Sequence, residues 1–338
     1  MANDLRRQSE ARRLAYARRG LAWGSLTGAV WGLDGVVLGI ALAAAPFTGN
    51  ASLFIGPLVG AALHDGFATL WLLIYNACAG KLPEIYRTLR VRPGLIVCLA
   101  ALAGGPIGMT GYLLGIKHAG AAYAMAISAI YPAIGSLLAV IFLKESISRR
   151  AWAGILLCVC GAIVVGYSPP DAAMYPHFKL GIAMAVLAAL GWGGESVISA
   201  HGMDLIDPDI AINIREGVSF LSYILIVIPA IGGFGLMREA LLNKPPLLIA
   251  GAGLCGAASY LFWYKSLNMA GVGRGMALSV TYVLWAIVYS AILTSYEITA
   301  HLIAGAILIF VGALLIVAKP SELLSLRAPE QSSEAGDA

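Results

Sequence analysis

The chain has 338 residues, 59% of them hydrophobic and 12% charged, whereas a soluble domain carries about 25% charged residues. That composition argues against a soluble enzyme. The net charge of +4 does not argue for a nucleic-acid binder, because the basic residues are clustered beside hydrophobic segments. Arg6, Arg7, Arg12, Arg13, Arg18 and Arg19 precede the first segment, and Lys81, Arg87, Arg90 and Arg92 separate the second from the third. Loops rich in Lys and Arg mark the cytoplasmic side of a membrane protein.

Ten spans are predicted, each of ~17–25 residues, the length a bilayer core requires. The first, 21–45, is too long for a signal-peptide core and carries Trp31-Gly32-Leu33-Asp34. The second, 54–79, carries His64-Asp65, and the third, 94–117, carries Gly104-Gly105. The fourth, 121–143, holds Tyr131-Pro132, where proline is expected to bend the helix, and the fifth is 150–167. The sixth, 179–201, repeats the first motif as Trp192-Gly193-Gly194-Glu195, and the seventh, 209–231, holds Arg215-Glu216. The eighth, 246–268, carries Tyr260, Trp263, Tyr264 and Lys265; the ninth, 273–293, carries Tyr282, Trp285 and Tyr289; the tenth is 298–318. Pro, Gly and charged residues punctuate the breaks, as in Asp207-Pro208-Asp209.

An even number of spans puts both termini on one side, and the distribution of Lys and Arg makes that side cytoplasmic. Residues 1–20 then form a basic cytoplasmic segment and 319–338 a polar cytoplasmic tail. The body divides into a first five-helix repeat at 21–167 and a second at 179–318. At an offset of 151 residues His64-Asp65 matches Arg215-Glu216, Ser128 matches Ser279, and Tyr131 matches Tyr282, while Gly154 and Gly161 match Gly305 and Gly312. Five spans per repeat force the second to enter from the opposite side. The expected fold is therefore an all-α integral membrane protein of ten helices in two inverted repeats. Such repeats enclose a substrate site near the midplane.

Acids at bilayer depth face an interior path or a partner. In each Trp-plus-acid motif the acid follows by three residues, which places both side chains on one helix face. A Trp face attracts cations and a carboxylate balances them, although each Trp could equally pack between helices. His64, Asp34 and Asp65 are candidates for proton coupling, His64 because imidazole titrates near neutrality. Neighbouring residues diverge by about 100° on a helix, so one of His64 and Asp65 is expected to face the path while the other pairs structurally. Arg215 and Lys265 read as structural ion pairs or snorkelling groups. The five cysteines lack metal-ligand spacing and read as free packing residues. Neither a metal nor an organic cofactor is implied, and enzymatic motifs are missing.

Taken together, Gly105-Pro-Ile-Gly-Met109, Ser128-Ala-Ile-Tyr-Pro132, Trp192-Gly-Gly-Glu-Ser-Val197, Ser219-Phe-Leu-Ser-Tyr223 and Ser279-Val-Thr-Tyr-Val-Leu-Trp285 carry a resemblance. They resemble the drug/metabolite transporter superfamily in its EamA-like branch, and within it the bacterial LicB-type choline permeases. The resemblance implies proton-coupled uptake of choline or a related quaternary amine, with no enzymatic step, in the cytoplasmic (inner) membrane. It makes Trp31, Tyr131, Trp192, Tyr260, Tyr282 and Trp285 the cage, with Tyr264 able to replace Tyr260, and Glu195 the charge partner. Asp34 departs from the pattern, which has an uncharged residue there. An exporter of amino acids or other small metabolites is the alternative within the superfamily, with Arg215 to hold a carboxylate.

Overall fold

Inside a bilayer each backbone N–H and C=O needs a partner within the protein, and helices supply one locally. The computed structural model describes residues 2–47, 52–119, 124, 127–166, 177–242, 245–293 and 300–316. Among these residues the secondary structure is helical and no β-strand occurs. In chain order come α1 (Ala2–Leu42), α2 (Ser52–Cys78), α3 (Leu82–Thr88) and α4 (Arg92–Leu102). A π-helical stretch at Ala103–Met109 leads into α5 (Thr110–Ala119), followed by α6 (Tyr131–Phe142), α7 (Arg149–Gly166) and α8 (Phe178–Gly202). Next are α9 (Pro208–Ser222), a second π-helical stretch at Tyr223–Val227, α10 (Ile228–Ile231) and α11 (Phe234–Leu242). The remaining elements are α12 (Pro245–Ala270), α13 (Val272–Ser279), α14 (Tyr282–Leu293) and α15 (Ala300–Ile316).

Among the described residues, seven helical segments are long and apolar enough to cross a membrane: 7–42, 55–78, 92–115, 178–202, 208–231, 246–270 and 272–293. The other three expected spans correspond to α6, α7 and α15, of which α6 and α15 are short apolar helices and α7 begins with two arginines. Part of the fourth expected span, 120–123 and 125–126, lies outside the described residues, as does the polar tail. The helix that carries the first expected span begins well before residue 21. The basic N-terminal stretch and the span are one 41-residue helix, about 60 Å long at ~1.5 Å per residue. Pro132 does not bend a helix but stands in the first turn of α6, where no backbone hydrogen bond is lost.

Small residues decide which helices meet, because without a hydrophobic drive in lipid, association relies on close backbone approach. Gly20, Gly24, Gly28 and Gly32 recur every four residues along one face of α1. A methyl group on Gly20 would lie 2.7 Å from the Ala270 nitrogen, one on Gly24 2.7 Å from Ser266 Oγ, and one on Gly32 2.8 Å from the Tyr282 carbonyl. The same face of Gly28 abuts Thr281 Oγ1. This seam fastens α1 to α12 and to the start of α14. A second seam joins α8 to α4, α5 and the first π-helical stretch, where Gly111 and Gly181 meet the backbone of Met184 and Ala119. At one edge α7 and α15 cross through Gly154 against Gly312 and Gly161 against Gly305, each 2.6 Å from a carbonyl if given a methyl.

Gly28→Val is therefore expected to destabilise the protein by about 1–3 kcal/mol through overpacking, read as a lower melting temperature in detergent. Gly194→Ala, where nothing lies within 4 Å, is expected to leave melting unchanged or raise it slightly, since alanine is the better helix former.

Candidate functional site

Between the two seams the helices enclose a cavity of about 460 Å³. Its wall includes Trp31 and Asp34 from α1, His64 and Asp65 from α2, Tyr131 from α6, Trp192 and Glu195 from α8, Tyr260 from α12 and Tyr282 from α14. One sequence candidate is not there. Trp285 is 40% exposed and stacks on Tyr289 at 5.9 Å. Its Cβ lies 2.7 Å from where a methyl on Gly32 would be, so the seam holds the base of the side chain while the ring turns outward. Tyr264 does not line the cavity either. It is fully buried and its hydroxyl bonds with Ser199 Oγ at 2.8 Å, which leaves the position to Tyr260.

The rings form two walls. On one, Trp31 lies 5.1 Å from Tyr282, 5.8 Å from Tyr260 and 6.4 Å from Trp263, centroid to centroid. On the other, Trp192 lies 5.4 Å from Tyr112 and 5.9 Å from Tyr131. Sequence reasoning did not select Trp263 or Tyr112 as cage members. Trp263 follows Tyr260 by one helical turn, a signal that was available; Tyr112 carries none. Trp192 is fixed by its indole N–H, which donates to the Gly104 carbonyl at 3.0 Å. That carbonyl belongs to the π-helical stretch, whose wider turn releases backbone acceptors from the regular ladder. Tyr131 is fixed by a 3.3 Å bond between its hydroxyl and Ser279 Oγ.

The charges are arranged around Arg215, which neither snorkels nor lies at the edge. It is buried and lines the cavity. Its Nε and Nη2 donate to Glu195 at 2.5 and 3.2 Å, its Nη1 donates to Glu216 at 2.5 Å, and its guanidinium lies 5.2 Å from the Tyr260 ring centre. The ion-pair reading of Arg215 was thus right, but its partner is the proposed charge residue. Glycines make room for the cluster. Gly104 faces Glu195 Oε2 and Gly256 faces the His64 ring so closely that neither position accepts a side chain without a shift.

His64 and Asp65 both line the cavity, contrary to the expectation that they diverge. The imidazole bridges two acids, with Nε2 at 3.1 Å from Asp34 Oδ1 and Nδ1 at 3.2 Å from Asp65 Oδ1. Asp65 Oδ2 also accepts from Ser219 at 2.7 Å. A neutral imidazole has one N–H and one lone pair. Two carboxylate contacts therefore require either an imidazolium or a protonated acid, so the trio holds two protons rather than one. Four carboxyl groups, one guanidinium and one imidazole are buried here, so acidic groups outnumber basic ones.

The cavity extends to the end of the bundle where α1 stops and α2 begins, through Leu38, Leu42 and Pro57. The opposite end is closed. There Lys81 donates to Asp207 and Asp209 at 2.7 and 2.9 Å, Lys265 pairs with Asp209 at 2.9 Å, and Trp23 stacks on Phe262 at 4.9 Å. Partial burial opposes charge on Lys81, but its two aspartate hydrogen bonds outweigh this and hold its pKa above the usual value. Lys265 was expected to be structural, and it joins this closure.

The model for the EamA-like transporter family matches the chain twice, at residues 18–167 and 179–318. The chain belongs to the EamA-like transporter family. This family member is 30% identical to "Protein LicB" of Haemophilus influenzae (strain ATCC 51907 / DSM 11121 / KW20 / Rd) over 190 residues, which is 56% of this chain and 63% of that protein. A solved crystal structure with 16% sequence identity shares the fold at a TM-score of 0.66, covering 88% of this chain and 97% of the other. This family member is thus an integral membrane protein, and its cavity is the place to look for a solute.

Arg215→Gln is expected to cost about 3–5 kcal/mol of stability, because it leaves Glu195 and Glu216 buried without a counter-charge. Melting in detergent measures this. The Arg215→Gln/Glu195→Gln double variant is expected to recover part of the loss. A single variant as stable as the parent would show that the pair is not holding the site.

Proposed function

We propose that this transporter imports choline or a related quaternary amine across the cytoplasmic membrane by alternating access, coupled to protons. The observation that carries this reading is a buried cluster richer in acidic than in basic groups at a cavity with two aromatic walls. A trimethylammonium head has no N–H to donate and is held by ring faces, each contributing about 0.5–2 kcal/mol. Trp31 and Tyr282 on one wall and Trp192 and Tyr131 on the other are the faces it would meet. Glu195 is committed to Arg215, so the compensating charge is that of the whole cluster, with Asp34 one turn from Trp31. The choline reading rests on the motif resemblance to LicB-type permeases, and the pocket chemistry supports it.

The two-protonated Asp34–His64–Asp65 trio supports proton coupling. Its proton ties α1 to α2 at the cavity wall, beside the ring that would hold the cation. Two inverted five-span repeats at 21–167 and 179–318 are supported by the doubled family match and by the pairing of helices. The α1–α12 seam has its counterpart in the seam between α8 and the third span. With both termini in the cytoplasm, the cavity runs to the outer face, and the Lys81–Asp207–Asp209–Lys265 closure lies on the inner face. The alternative, export of amino acids or other metabolites, needs a cation for a carboxylate. Arg215, the cavity's guanidinium, is already bound by two acids, which weighs against it.

Uptake of labelled choline by a host lacking its own transport is expected to fall at least tenfold in Trp31→Ala and Trp192→Ala, with the label recovered chemically unchanged. Full uptake by both variants would remove the cage. In proteoliposomes, His64→Gln is expected to abolish the response of uptake to an inward proton gradient. A parent protein indifferent to that gradient would remove the coupling.

A further inference from the structure

Both halves of the chain carry the same three-part device. In the first, Asp34 on α1 and Asp65 on α2 hold the His64 imidazole at 3.1 and 3.2 Å. In the second, Glu195 on α8 holds the Arg215 guanidinium at 2.5 and 3.2 Å, and Glu216 on α9 holds it at 2.5 Å. The members correspond in sequence. The repeated Trp-plus-acid motif supplies Asp34 and Glu195, and the matched dipeptides His64-Asp65 and Arg215-Glu216 supply the rest. All six side chains are buried. Both bases stand beside one ring of the cavity wall, the His64 ring centre 6.3 Å and the guanidinium 5.2 Å from the centre of Tyr260.

The two devices differ in the central base. An imidazole titrates near neutrality, whereas a guanidinium stays charged in proteins. With two protons the first trio satisfies both aspartates. After losing one to water it has a single N–H for two carboxylates, and a ring lone pair then faces an acid. Asp65 keeps the Ser219 hydroxyl as a donor, while Asp34 has no other hydrogen-bond partner among the described residues. The tie between α1 and α2 therefore depends on the proton. The tie between α8 and α9 does not, because Arg215 keeps its N–H groups. Around the first trio stand Cys255 and Tyr260 on α12, Tyr223 in the second π-helical stretch, Glu195 on α8, and Arg215 with Glu216 on α9. Among the described residues none of these hydrogen-bonds His64 in place of the aspartates. Resting on the proton-coupled reading above, we infer that the Arg215 triad is the fixed-charge twin of the His64 triad, and that the central base decides which half of the protein answers protons. Arg215 is in this sense a positioning residue, holding α8 to α9 while the first half switches.

The full-length variants His64→Arg and Arg215→His and their double exchange test this, by melting in detergent and by uptake of labelled choline into proteoliposomes. The folded trio holds two protons, whereas in an unfolded chain at neutral pH both aspartates are ionised and the imidazole is mostly neutral. The folded state thus binds more protons, so the parent's melting temperature is expected to fall as pH rises from about 6 to 8. In His64→Arg that fall is expected to shrink, and an inward proton gradient is expected to lose its effect on uptake. In Arg215→His the fall is expected to steepen, because a second trio then carries a proton that the unfolded chain lacks. The double exchange is expected to regain gradient-driven uptake, which a merely structural role for either base would not give. A gradient response surviving in His64→Arg would overturn the inference. Melting of Arg215→His no more dependent on pH than that of the parent would overturn it too, even where the double exchange failed to fold. A folded double exchange deaf to the gradient would do the same. Parent uptake indifferent to the gradient would instead remove the proton-coupled reading, and this inference with it.

Discussion

A charge removed from water must be met by an opposite charge or a hydrogen bond, and this requirement organises the centre of the molecule. Arg215 answers Glu195 and Glu216, and His64 answers Asp34 and Asp65. Four helices, α1, α2, α8 and α9, contribute these groups, so the electrostatics and the bundle geometry cannot change independently. A movement that separates α8 from α9 would leave Glu195 exposed to a low dielectric. The surplus of acids then gives an incoming cation a part in the same compensation, which is how binding could be linked to movement.

Glycine makes this arrangement possible by letting some helices approach closely and thereby leaving others apart. The α1 seam and the α8 seam draw two sets of helices to backbone contact, and the cavity is the space between them. Glycines also stand beside the charged groups, where Gly104 and Gly256 leave room for Glu195 and His64. The residue that builds the close interfaces thus also admits the charged side chains. The π-helical stretch adds a fixed acceptor for Trp192, so one wall of rings is anchored to backbone rather than to neighbouring side chains alone.

Much of this was legible in the chain. Length and spacing of apolar segments gave a helical membrane protein, and the two Trp-plus-acid motifs gave opposing walls of one cavity, because a three-residue step on a helix keeps both side chains on one face. The four-residue glycine step along α1 is equally readable in the chain. The tyrosine at 260 was chosen over its neighbour at 264, and the structure places 260 on the wall. Two readings differ from the structure. The resemblance puts Trp285 in the cage, whereas the structure exposes it, and helix angles set His64 against Asp65, whereas both line the cavity.

Composition and periodicity fix what a segment is and which of its side chains share a face, because these depend on backbone geometry within the segment. They do not fix how far each helix is rotated toward its neighbours, or which acid a given cation reaches. That depends on where seams of small residues allow contact, and on side chains that bend across several ångströms to find a counter-charge. The pairing of Arg215 with Glu195, the imidazole held between two aspartates and the outward turn of Trp285 were therefore decided only by tertiary structure.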